Sequence, residues 1–126
     1  MCANRNFNRV QALEKEVKHL YANIYIGASG APSITFAPGI LSIVRQSAGD
    51  YLVTLQDRYF SLKDFDGMVL STTAQDVTFQ LKVISNTNAV VPTIEFFTLV
   101  GGVATDVANG SALILKIELK NTSVAI

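Results

Sequence analysis

The sequence holds one cysteine, one histidine and no tryptophan in 126 residues. Cys2 therefore has no internal disulfide partner. Together with His19 it falls short of the three or four ligands of an ordinary zinc site, so no metal and no cofactor is expected. An excess of either charge is also missing, because ten basic residues balance ten acidic ones and no two Lys or Arg are adjacent. Without a basic surplus the chain lacks the electrostatic means to gather nucleic acid or an anionic membrane surface, and neither is an expected partner. The segment MCANRNFNRV has no apolar signal core, and the apolar runs elsewhere are strand-sized rather than membrane-spanning. This predicts synthesis in a reducing cytoplasm. Asn109-Gly110-Ser111 and Asn121-Thr122-Ser123 match the glycosylation acceptor pattern, but without a secretory route they read as turn and tail residues.

Apolar residues are plentiful. With 49% hydrophobic and 16% charged residues the chain is a compact globular protein and not a disordered one. Near the amino terminus Val10, Leu13, Val17, Leu20 and Ile24 recur at spacings of three, four, three and four. Glu14 precedes Lys18 by one helical turn, and Asn6 or Asn8 can cap the start, so the pattern predicts a helix over about 7–24. Its apolar stripe either packs on the chain's own domain or zips with identical helices of neighbouring subunits. The following GASGAPSITFAPG, residues 27–39, is rich in glycine, proline and small side chains and reads as an extended arm.

Beyond the arm the period changes to two. Tyr51, Val53 and Leu55 alternate with Leu52, Thr54 and Gln56, Val77, Phe79, Leu81 and Val83 with Thr78, Gln80 and Lys82, and Leu113, Leu115, Ile117 and Leu119 with Ile114, Lys116, Glu118 and Lys120. Turn chemistry at Ala48-Gly49, Gly101-Gly102 and Asn109-Gly110 separates the segments, and Asn-Gly favours a turn with positive φ at both central residues. Strands are expected near 34–36, 40–46, 51–57, 67–71, 77–84, 93–100, 103–106 and 112–120. The predicted fold class is mainly β, a small antiparallel β-sandwich or barrel of about seven to eight strands preceded by one short N-terminal helix and an extended arm. The division follows as residues 1–38 for helix and arm and 39–126 for the sandwich.

Catalytic constellations are hard to assemble from these residues. The imidazole of His19, between Lys18 and Leu20, reads as a surface group, and Cys2 as an unactivated thiol. Asp57, Asp64 and Asp66 with Gly67 resemble a fragment of a calcium loop, but the remaining ligands are missing and the carboxylates read as solvated turn residues. No glycine spacing fits a phosphate loop. Phe96 and Phe97 are neighbours and must point to opposite faces of a strand. If both are buried, the second face is covered by another subunit or protein, or by a loop or the arm. No enzymatic activity is expected.

The segments Gly39-Ile40-Leu41-Ser42-Ile43-Val44-Arg45, Gly49 to Asp57, Phe97-Thr98-Leu99 with Gly101 to Asp106, and Leu119-Lys120-Asn121-Thr122-Ser123 together resemble small structural proteins of tailed bacteriophages. The resemblance implies a virion component, most like a capsid decoration or cement protein made in the bacterial host cytoplasm and placed on the capsid surface. It further implies the major capsid protein as partner and a symmetric homo-oligomer, a trimer in preference to a dimer. The contact residues expected under that reading are Val10, Leu13, Val17, Leu20, Ile24, Ile34 and Phe36. Two other readings remain: a tail, baseplate, neck or fibre component using the helix as a stalk, and a carbohydrate- or host-surface-binding β-module. The last requires an exposed aromatic cleft, which the sequence does not show.

Overall fold

A computed structural model describes residues 17–83 and 92–120. Nine strands follow in order: β1 (Val17–Ile26), β2 (Pro32–Phe36), β3 (Ile40–Ser47), β4 (Asp50–Leu55), β5 (Ser61–Leu70), β6 (Thr78–Val83), β7 (Thr93–Val100), β8 (Val103–Ala104) and β9 (Ala112–Lys120). A single 3-10 turn, Ala28–Gly30, is the only helical element among the described residues. One antiparallel sheet has the order β2-β1-β9-β5; the other runs β3-β4-β7-β6, with β8 added to β7. The sheets face each other as a β-sandwich and meet along both flanks, where β2 lies against β3 and β5 against β6.

The core follows from period-two alternation. Leu113, Leu115, Ile117 and Leu119 of β9 are fully buried, as expected, and so are Tyr51, Val53 and Leu55 of β4. From β7, Ile94 and Phe96 point inward. Phe96 is the hub of an aromatic cluster, with ring centroids 5.6 Å from Tyr51, 5.1 Å from Phe65 and 6.0 Å from Phe79. Such offset pairs add to the area term that dominates folding. Phe97 points the other way and is half-buried beneath Lys82, whose ammonium lies 5.3 Å from the ring centroid.

The N-terminal helix is overturned over residues 17–24, which belong to β1; residues 7–16 lie outside the described residues. The sequence misleads here because a spacing of four satisfies both periods. Leu20 and Ile24 share one face of a helix, and they equally share one face of a strand. The alternation of Leu20, Ala22, Ile24 and Ile26 against His19, Tyr21, Asn23 and Tyr25 decides for strand, with β-branched and aromatic side chains that suit a pleated surface. The arm likewise contains β2, hydrogen-bonded to β1 in the same sheet as β9. β5 starts at Ser61, six residues before the expected strand, so Asp64 and Asp66 are exposed strand residues and not turn residues. Gly67 on that strand leaves space for the Phe79 ring; a Cβ there would lie 2.9 Å from it.

The turn with two positive-φ residues occurs at Gly101–Gly102 (φ 59° and 82°), where Val100 pairs with Val103. At Asn109–Gly110 only the glycine has positive φ, and the chain there crosses between sheets instead of closing a hairpin.

Side-chain hydrogen bonds tie the crossing loops together at one end of the sandwich. Arg45 donates from Nε (3.0 Å) and Nη2 (2.8 Å) to the carboxylate of Asp106, which also accepts from the Gly49 N–H at 2.9 Å. The buried Tyr51 hydroxyl donates to the Gly30 carbonyl at 2.9 Å, and burial, with Asp106 nearby, pushes its pKa up to about 12. The Arg45 hydrogen bonds hold Asp106 below the ordinary carboxylate value against the opposing effect of burial. On the outer face of the second sheet, burial raises Asp50, but hydrogen bonding with Glu95 and with the Lys82 ammonium (2.9 Å) outweighs it and leaves Asp50 lowered.

Both depressed carboxylates stabilise the fold above their unfolded value near pH 4, and this contribution is lost as pH falls through their lower folded values. The urea midpoint is therefore expected to drop between about pH 5 and about pH 2. Asp106→Asn should make that decline shallower, and an identical acid slope in the variant would show that Asp106 is not one of its sources.

Candidate interaction surface

β9 is the spine of the first sheet, paired with β1 on one side and β5 on the other, and the two registers fix which residues share its outer face. Tyr25, Ala112 and Leu70 form one row, and Asn23, Ile114 and Met68 the next. Then come Tyr21, Lys116 and Asp66, followed by His19, Glu118 and Asp64. The face is apolar at one end and charged at the other. Phe36 joins the apolar end from β2, opposite Asn23.

Tyr21, Tyr25, Phe36, Met68 and Leu70 are between 46% and 63% exposed. These five large apolar side chains form an exposed apolar patch on one end of the sheet face. At the charged end, His19 Nδ1 lies 3.2 Å from Glu118 Oε1, Lys116 Nζ lies 3.8 Å from Glu118 Oε2, and the His19 ring stacks on Tyr21 at 6.4 Å and 10°. Among the described residues no group of three or more His, Cys, Asp or Glu could hold a metal ion.

Two hollows mark the face. One, of about 180 Å³, lies between Tyr21, Met68, Ile114 and Lys116. The larger, of about 370 Å³, is lined by His19, Leu20, Tyr21, Phe36, Pro38 and Gly39, where β2 ends and the chain turns into β3. It is an exposed aromatic cleft that the sequence reading missed, because it depends on β1 being a strand that places His19 and Tyr21 side by side.

The expected contact residues separate. Ile24 is 1% exposed and committed to the chain's own core, and Leu20 is partly buried against it. Val17 lies at the start of β1, while Ile34 and Phe36 are exposed on β2. Val10 and Leu13 lie outside the described residues. Tyr21, Tyr25, Met68 and Leu70 were not singled out, although the alternation of residues 19–26 carried the signal for the first two. No described helix is long and apolar enough to cross a membrane. Comparison of the chain with protein-family models, with curated proteins and with solved structures found no match.

Proposed function

We propose that this chain is a non-enzymatic virion structural protein, a capsid decoration or cement protein that binds the assembled head shell of a tailed bacteriophage as a symmetric oligomer. The observation that carries the reading is the exposed apolar end of the outer sheet face, presented by Tyr21, Tyr25, Phe36, Met68 and Leu70 on a closed sandwich. A protein that binds the assembled lattice and not the free subunit stabilises the shell by mass action, and oligomerisation multiplies that effect through effective concentration. Zero net charge suits a molecule that works through apolar contact. The tail or fibre alternative relied on a helical stalk, and residues 17–24 of that stalk are strand.

The test is the copy number of this chain in purified particles, by quantitative mass spectrometry against the major capsid protein. A number comparable with the shell subunit is expected; a number lower by orders of magnitude assigns the chain to tail or neck, and absence from particles removes the virion reading. The double variant Tyr25→Glu with Met68→Glu, both exposed, should keep its far-UV circular dichroism and lose particle binding. A second reading, a carbohydrate- or host-surface-binding β-module, is favoured by the aromatic cleft at His19, Tyr21 and Phe36. That site would keep its ligand in the same double variant.

A further inference from the structure

Asn109 is the only asparagine of the chain that is followed by glycine. With no Cβ on the following residue, the main-chain nitrogen of that glycine can close on the asparagine side-chain carbonyl, which makes Asn-Gly the asparagine dipeptide most open to spontaneous loss of ammonia. Asn109 is exposed in the loop that leads from β8 to β9, and Gly110 has φ +88°. The nucleophile, however, is held. Gly110 N–H donates to Ile26 O at 2.8 Å, and Ile26, 0% exposed, donates from its own N–H to Ser111 O. Ser111 N–H on Ala108 O, at 3.1 Å, closes the turn. Gln75 supplies a second clasp. Its Oε1 accepts from Ala108 N–H at 3.1 Å, and its Nε2 donates at 2.9 Å to the Oγ of Ser111, a residue 1% exposed.

We propose that Asn109 is a latent deamidation site, whose conversion to aspartate and isoaspartate is held back by the hydrogen bond from Gly110 to Ile26 and by the Gln75 clasp across the same turn. This goes beyond the virion reading and does not rest on it, since it concerns the covalent chemistry of the chain itself. The reaction needs only water. Hydroxide removes the Gly110 amide proton and the nitrogen attacks Asn109 Cγ. The N–Cγ bond forms, the Cγ–Nδ2 bond breaks, and ammonia leaves with a proton returned by water. Hydrolysis of the resulting succinimide at one carbonyl gives aspartate, and at the other isoaspartate. Amide hydrogen exchange at Gly110 begins with the same deprotonation, so both reactions wait on the same local opening of the Ile26 bond. Ring closure also requires Asn109 to turn, so the fold slows conversion by at least as much as it slows exchange. The product adds one negative charge to a chain of zero net charge. Its isoaspartyl form also puts an extra carbon into the main chain between Ala108 O and Ser111 N, whose hydrogen bond closes the turn.

The experiment is incubation of the full chain at neutral pH, folded and in urea, with peptide mapping by mass spectrometry at intervals and amide hydrogen exchange on the folded sample. In urea Asn109 is expected to convert ahead of every other asparagine. In the folded chain its conversion is expected to be slower by roughly a hundredfold or more, and by no less than the protection factor of the Gly110 amide. Gln75→Ala removes both clasp bonds and leaves the Ile26 bond, so Gly110 exchange and Asn109 conversion should rise together, each roughly tenfold. Equal rates in the folded and unfolded chain overturn the proposal. So does folded-state conversion faster than the Gly110 protection allows, or a folded Gln75→Ala in which either rate stays unchanged. Should that variant not fold, urea below the unfolding transition of the wild-type chain replaces it: conversion that rises in step with Gly110 exchange supports the proposal, and conversion that does not rise overturns it.

Discussion

Gly49→Ala is expected to lower the melting temperature by roughly 15 °C, corresponding to a loss on the order of 4 kcal/mol. Gly49 sits at φ +66° in the β3–β4 turn, a conformation that costs an L-residue about 1 kcal/mol. The larger part is steric. A Cβ there would lie 2.3 Å from Thr105 N, 2.7 Å from Thr98 O and 2.8 Å from Ala104 C, all backbone atoms that cannot rotate aside. The turn would have to part from residues 98–105, losing the Thr98 N–H bond to Gly49 O and the Gly49 N–H bond to Asp106. Gly101→Ala is the control: φ is +59°, but a Cβ there meets nothing within 4 Å, so only the conformational cost of about 1 kcal/mol should appear. Thermal melts of both variants separate strain from contact, and equal losses would show that the close approach at Gly49 does not exist in solution.

Leu115→Asp should abolish soluble folding. Leu115 is 0% exposed at the middle of β9, in register with Ala22 of β1 and Gly67 of β5. The substitution loses about 2–3 kcal/mol of apolar burial and places an unpaired carboxylate where no donor is at hand, at a further cost of several kcal/mol. The sum approaches the whole stability of a small domain. Lys116→Asp changes the adjacent side chain, which lies between Tyr21 and Asp66 on the solvated side of the same strand. The protein is expected to remain folded, with a loss of about 1 kcal/mol or less. Soluble yield and circular dichroism of the pair read the inward and outward faces of β9 directly, and matching behaviour would mean that the register is shifted by one residue.

Most of the sandwich was legible in the sequence because a half-buried strand writes its own period. β3, β4, β7 and β9 lie close to the segments that alternation and turn residues marked out, and the inward faces of β4 and β9 are the ones expected. β1 was misread for a definite reason: three of the five residues used for the helical stripe, Val17, Leu20 and Ile24, are also compatible with a strand once Val17 is allowed to face outward. The intervening Tyr21, Ala22, Tyr25 and Ile26 carried the deciding information. The first half of β5 was hidden by its carboxylates, since Asp-Phe-Asp-Gly has turn chemistry in isolation; in the fold it alternates outward Asp with inward Phe65 and Gly67. The exposed apolar face was less legible than the core. No single strand contains it, and Tyr21, Tyr25, Met68 and Leu70 become one surface only through β9, which pairs with two strands distant from it in sequence.

That placement of β9 also governs the order in which the molecule is made. The last in sequence of the nine described strands occupies an interior position of its sheet, and β1 and β5 share no ladder without it. As the chain leaves the ribosome, the β1–β2 and β3–β4 hairpins can pair early, but the inner edges of β1 and β5 stay unmatched until residues 112–120 emerge. Assembly of the first sheet therefore waits on distant contacts, and it leaves the inner edges of β1 and β5 open until β9 emerges. The interval before β9 emerges is the one most open to aggregation, and a nascent chain stalled there is its most exposed form.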